Sequence, residues 1–215
     1  MPATTIHEVR PDHPEPYELA RISEALLDGA VMLYPTDTVY ALGCIPSHRE
    51  ALSRLRALKG DTGRTITKPL TLLCPSLNDI ARYAYVEDRA YKLMRALTPG
   101  PYTFLLRATR EVPKLVLNPK RKTVGLRIPE HPICQALLAR TGRLIVSSSA
   151  KMLDGSEAES LEELIEELEP HVDLIVRTDQ PFRNTPSTMI DLTESEHRIL
   201  REGMGMNRLS RYLAP

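Results

Sequence analysis

Cysteine is scarce in this sequence: Cys44, Cys74 and Cys134 are odd in number, lie far apart and form no CxxC, which leaves neither a disulfide framework nor a zinc cluster. A reducing cytoplasm is the expected compartment. Charge of one sign is not in excess either, since 28 basic residues face 28 acidic ones, so nothing global draws the chain to nucleic acid or to a membrane. Long apolar runs are missing, and the opening residues are mixed polar and proline-rich, unlike a signal peptide or a membrane span. There is no GxSxG elbow, no HExxH pair and no dinucleotide-type GxGxxG. The histidines at 7, 13, 48, 131, 171 and 197 show no metal-ligand spacing, so no metal site built from protein side chains alone is expected.

What is present suits a folded globular protein. Apolar residues make up 42% of the 215, enough to fill the core of one large domain. Charge is balanced overall but unevenly spread. Residues 107 to 127 carry Arg107, Arg110, Lys114, Lys120, Arg121, Lys122 and Arg127 against Glu111, whereas residues 157 to 169 are rich in glutamate, so one surface should be positive and another negative. In the acidic stretch Leu161, Leu164, Ile165 and Leu168 fall at helical spacing, the buried stripe of a solvated helix.

Four prolines make residues 1–16 an irregular arm, and helical periodicity follows over 17–27, ending at Gly29. Further helices are expected at about 48–58, 77–83, 87–97, 131–140 and 158–168. Strand-like runs stand at 31–34, 70–74, 102–107, 124–128, 144–148, 172–176, 188–192 and 198–201. This alternation predicts an α/β (α+β) fold. Successive strands without a helix between them predict a mixed parallel and antiparallel sheet flanked by helices. With no repeat and no low-complexity linker, the domain is placed at 17–206 and a tail at 207–215.

Polar residues gather where strands end, which is where ligands sit in α/β sheets. After Val31–Tyr34, Pro35 ends the ladder, and Thr36, Asp37, Thr38 and Tyr40 offer hydroxyls, a carboxylate and a phenol; a binding corner and an ordinary turn fit equally well. The stretch from Lys59 to Pro69, with two glycines, hydroxyls and cations, can wrap a phosphate chain, although it is not a P-loop and a solvated loop reads the same. Thr98 to Thr103 is a stiff Pro-Gly-Pro turn. Around Val124 to Pro132, Arg127 can clamp a carboxylate or phosphate, or be a surface arginine beside a helix start. Ser147, Ser148, Ser149 and Lys151 follow an apolar strand, and Ser187 and Thr188 begin another; hydroxyls at such places also serve as caps and turns.

In this order the segments YPTDTVYALG (34–43), KPLTLL (68–73), TPGPYTFLL (98–106), VGLRIPEHP (124–132), SSSA (147–150), STMIDL (187–192) and ILREG (199–203) resemble the YrdC/TsaC family of threonylcarbamoyl-AMP synthases, with most similarity to its YciO branch. The resemblance implies a single YrdC-like domain, a twisted sheet with a concave positive face that holds ATP and L-threonine. It implies a nucleotidyltransferase serving the tRNA modification threonylcarbamoyladenosine. Threonine and bicarbonate give a carbamate, whose oxygen attacks the α-phosphate of ATP and expels pyrophosphate. ATP acts as a substrate with Mg²⁺, and the step calls on cations rather than a strong base.

Carried over residue by residue, the resemblance puts Thr36, Tyr40, Arg127 and His131 around threonine, and Arg64, Ser147, Ser149, Ser187 and Arg201 around the nucleotide. The chain departs from the family at two positions. The family's Lys-x-Arg reads Thr62-Gly63-Arg64, and its Ser-Ala-Asn reads Ser149-Ala150-Lys151. Arg64 and Ser149 then stand as catalytic residues, with Lys59 or Lys151 supplying the charge that Thr62 lacks. Weak synthase activity is one expectation; the alternative is a protein that binds double-stranded RNA or tRNA through the same positive face without synthase activity.

Overall fold

The computed structural model describes residues 3–60, 70–118 and 120–213. In chain order the elements are β1 (Thr5–Glu8), α1 (Pro16–Leu27), β2 (Met32–Tyr34), β3 (Ala41–Cys44), α2 (Arg49–Leu58), β4 (Thr71–Leu73), α3 (Leu77–Tyr83), β5 (Ala84–Tyr85), α4 (Asp88–Leu97), β6 (Tyr102–Ala108), β7 (Thr123–Arg127), α5 (Pro132–Thr141), β8 (Ile145–Ser149), α6 (Leu161–Leu168), β9 (Leu174–Arg177), β10 (Thr188–Asp191), β11 (Arg198–Arg201) and α7 (Met206–Leu213). All strands join one sheet in the order β1-β9-β2-β3-β8-β4-β7-β6-β10-β11, with β5 added beside β6. The pairs β1/β9, β2/β9, β4/β7 and β6/β10 are parallel and the others antiparallel, the mixed sheet that the sequence predicts. Among the described residues no helix is long and apolar enough to cross a membrane.

Local chemistry sets the helix ends. Proline occupies the first turn of α1 and of α5, where its missing N–H is not needed, and α5 stops at Gly142 in the left-handed conformation (φ 58°). Ser160 caps α6 by accepting from the Glu163 N–H at 3.2 Å, while the Glu163 carboxylate reaches back to the Glu159 N–H at 2.7 Å.

The two faces of the sheet are covered unequally. One carries the larger core, where Leu72, Phe104, Leu126 and Val146 pack with residues of α2, α3, α4 and α6. On the other, α1 and α5 lay Ile22, Leu26, Ile133 and Leu137 onto Met32, Tyr34, Ile145 and Leu174, each such buried side chain contributing about 1.5–3 kcal/mol. This second cover lies over β9, β2, β3 and β8 and reaches only Leu73 of β4. Beyond it no helix among the described residues covers the face over β7, β6 and β10.

Three details differ from the sequence expectations. The irregular arm contains β1, paired in register with Leu174–Arg177; only His7 is buried in it, so no apolar alternation announces the strand. The corner after Pro35 continues at once into β3, all four residues of which are buried. Most of the expected tail is helix α7, anchored by the fully buried Leu209.

Candidate functional site at the uncovered half of the sheet

Alternation along β8 puts Ile145, Ser147 and Ser149 on one face. Ile145 lies under the helices, whereas Ser147 and Ser149 help line an open cavity of about 230 Å³ where the cover ends. Thr36, Lys59, Arg127, Ser187 and Arg201 line the same cavity.

The corner between β2 and β3 builds one end. Tyr34 lies fully buried across β3, and its Oη donates to Ser147 Oγ at 2.7 Å. Gly43 makes room for that ring, since a Cβ there would meet Tyr34 Cε1 at 2.8 Å. Burial pushes the phenol's pKa well above its ordinary value, so it stays a donor. Thr36 closes the turn after Pro35: its hydroxyl donates to the Val39 carbonyl at 2.7 Å and accepts from the Thr38 N–H at 3.1 Å. That turn aims Asp37 and Thr38 at Arg127. The guanidinium donates through Nη2 to Asp37 Oδ1 at 2.6 Å and through Nη1 to Thr38 Oγ1 at 3.0 Å, and the ion-paired side chains are only 9% and 11% exposed. A pair so buried is worth keeping only when its hydrogen bonds offset the lost hydration. Here some capacity remains, because Arg127 Nε and Asp37 Oδ2 find no hydrogen-bond partner among the described residues.

His131 and Tyr40 do not line the cavity. His131 Nε2 faces Gln180 Oε1 at 3.2 Å, its Nδ1 is buried without a partner among the described residues, and burial holds its pKa below the usual histidine range. The Tyr40 ring lies 6.2 Å from that of Phe182. Burial pushes its hydroxyl up to about 12; the Thr178 backbone pulls the other way without closing a hydrogen bond, and the oxygen has no partner among the described residues.

Cations gather at the other end. Ser187 Oγ meets Thr103 Oγ1 at 2.8 Å and accepts from Arg201 Nη2 at 3.0 Å, while Arg201 Nε donates to the Ser187 carbonyl at 3.0 Å. Burial, and then the nearby Arg127, lower the Arg201 pKa, the signature of cations crowded beside one cavity. Gly203 lets the backbones close at this place, since a Cβ there would stand 2.2 Å from the Pro186 oxygen. Lys59, at the end of α2, donates through Nζ to Ser148 Oγ. A second cavity of about 150 Å³ shares Thr71, Thr103 and Met189 with the first and has apolar walls at Leu70, Val116 and Leu200.

The structure thus brings Thr36, Lys59, Arg127, Ser147, Ser149, Ser187 and Arg201 together, with Tyr40 and His131 set behind them. Arg64 and Thr62 lie outside the described residues. Lys151 is exposed, bonds Glu157 at 2.5 Å and does not line the cavity, so of the two lysines expected to supply charge, Lys59 is the one on its wall. Sequence reasoning did not find Asp37 as the partner of Arg127, nor Thr103 or Gln180. These contacts join residues 90, 84 and 49 positions apart, and no local pattern announces them.

A family model for the Sua5/YciO/YrdC domain, described as telomere recombination, matches residues 24–203. The chain is 40% identical to Escherichia coli K12 YciO over 200 residues, 92% of this chain and 94% of that one. Its structure superposes on the E. coli YciO crystal structure with a TM-score of 0.86 at 36% identity, covering 94% of this chain and 97% of the other. The threonylcarbamoyl-AMP synthase of Bos taurus is 34% identical over 192 residues, 86% of this chain and 67% of that one. The crystal structure of P. abyssi Sua5 complexed with L-threonine superposes with a TM-score of 0.82 at 28% identity, covering 93% of this chain and 58% of the other. Sequence and fold agree that this chain belongs to the Sua5/YciO/YrdC family.

Proposed function

We propose that the chain binds ATP and a small amino acid, L-threonine first, and joins them through bicarbonate into a threonylcarbamoyl adenylate, with pyrophosphate as the leaving group. The observation that carries this reading is the division of one cavity between two kinds of end. At one, a fastened guanidinium, Arg127, suits an amino acid's carboxylate. At the other, Arg201, Ser187 and Lys59 suit phosphate oxygens, and the apolar side cavity suits a base. The relatives named threonylcarbamoyl-AMP synthase support the same chemistry.

In this reading the amine of threonine takes up bicarbonate with loss of water, and a carbamate oxygen attacks the α-phosphorus as the bond to the pyrophosphate oxygen breaks. The carbamate is already an anion. The protein's part is to hold two anions together and to stabilise the charge that moves onto the leaving group. Magnesium enters as part of the substrate, on the triphosphate.

The test mixes the protein with ATP, Mg²⁺, bicarbonate and single amino acids and follows pyrophosphate. Release that needs both threonine and bicarbonate is expected. Absence of threonine-dependent release, together with salt-sensitive retention of double-stranded RNA, would overturn it in favour of an RNA-binding role.

A further inference from the structure

Tyr34 belongs to both halves of the sheet face at once. Its ring packs, fully buried, in the core under α1 and α5, while its hydroxyl ends at Ser147 on the wall of the open cavity. Strand β3 lies between them, so the side chain has to cross a neighbouring strand. The register leaves it a lane: Gly43 stands opposite Met32 of β2 and Ser147 of β8, and the ring leans over the place where a Cβ would be.

Each proton in this contact has a fixed place. The phenol is buried and Ser147 Oγ is its one hydrogen-bond partner among the described residues, so its proton has no other acceptor. The phenol is also the more acidic hydroxyl of the two and the better donor. The serine therefore accepts, and its own proton, standing at the cavity, finds no acceptor among the described residues. Thr36 on the same wall is the contrast: its proton is spent on the Val39 carbonyl at 2.7 Å. At the cation end the count comes out as for Ser147. Arg201 Nη2 donates to Ser187 Oγ at 3.0 Å, Ser187 and Thr103 share one bond at 2.8 Å, and one of their two protons is left over.

We propose that Tyr34 is a positioning residue: by donating to Ser147 from behind, it makes that hydroxyl a one-way donor into the cavity, fit only for a group that accepts, a phosphate oxygen of the nucleotide. The inference rests on the reading above that the cavity takes a nucleotide's phosphates, and it adds a residue that touches no ligand. A serine hydroxyl free to rotate has to be oriented as the ligand arrives, whereas one held by Tyr34 is oriented beforehand. Such a wall is complementary to an ionised oxygen and unsuited to a protonated one.

Two measurements test this. The first is ¹³C NMR of the ligand-free full chain in mixed light and heavy water, where a slowly exchanging hydroxyl splits the line of the carbon that bears it. Tyr34 Cζ should be split and Ser147 Cβ should not. A split serine line or an unsplit tyrosine line would overturn the proposal. The second is a double-variant cycle in ATP affinity, read by calorimetry. Ser147→Ala should weaken ATP about tenfold and Tyr34→Phe about threefold, the range of one hydrogen bond. In the Ser147→Ala background, adding Tyr34→Phe should change the affinity no further. A tyrosine that only supports the fold would weaken ATP equally in both backgrounds, and that result would overturn its role. A wild type without affinity for ATP would instead overturn the reading of the site, and the isotope splitting still judges Tyr34 by itself.

Discussion

The two halves of one sheet face can be compared along a single strand. On β8, Ile145 packs under α1 and α5, whereas Ser147, two residues further on the same face, hydrogen-bonds Tyr34 and lines the cavity. On the covered side burial is apolar and needs only shape. On the uncovered side side chains are just as buried, for Arg127 is 7% and Ser187 4% exposed, yet they are polar and tied to one another. The helices therefore do more than fill a core. Where their cover stops, the sheet must satisfy its inward groups through hydrogen bonds, and those groups become available to a ligand.

The sharpest way to break this comparison is to remove one polar tie from the uncovered half. Arg127→Leu strands the Asp37 carboxylate in a buried place and should cost about 3–5 kcal/mol in urea unfolding, while the double variant Asp37→Asn/Arg127→Leu recovers part of it. A loss under about 1 kcal/mol would mean that water reaches Asp37 and that this half is not a dry one. Next in size, Ser147→Ala leaves the Tyr34 hydroxyl unpaired beside the covered core and should cost about 1–3 kcal/mol in thermal unfolding; adding Tyr34→Phe should lessen the cost. The smallest effect separates the two lysines. Lys59→Ala should weaken ATP binding by calorimetry, whereas Lys151→Ala, which removes an exposed pair with Glu157, should leave it unchanged and alter stability by no more than about 0.5 kcal/mol. Equal effects on ATP would show that the cavity extends to Lys151.

Much of this organisation was legible in the sequence for a physical reason: helices and strands that bury one face repeat that burial in their periodicity. The stripe Leu161, Leu164, Ile165 and Leu168 reads directly as α6. Strand β1 does not, because what holds it is backbone pairing to Leu174–Arg177 rather than an apolar face. In the site, residue types were legible and pairings were not. Arg127 reads as an anion clamp from its strand alternation, but that Asp37 and Thr38 already hold two of its nitrogens follows only from the loop between β2 and β3 reaching past β8 and β4 to the end of β7. The segment between β9 and β10 was silent for the same reason. Gln180 and Phe182 look like any loop residues until the crossing from β9 to β10 brings them over His131 and Tyr40.

The place of β9 between β1 and β2 has a consequence for synthesis. As the chain leaves the ribosome, β1 and β2 emerge among the first 34 residues but cannot flank each other, because the strand that joins them begins at Leu174. At roughly 5–20 residues per second the gap stays open for on the order of ten seconds or more. During that time β2 keeps one hydrogen-bonding edge bare. The nascent protein therefore offers a strand-shaped vacancy that its own late segment must win against any other extended chain in reach, and that segment fills an interior seam rather than adding an edge.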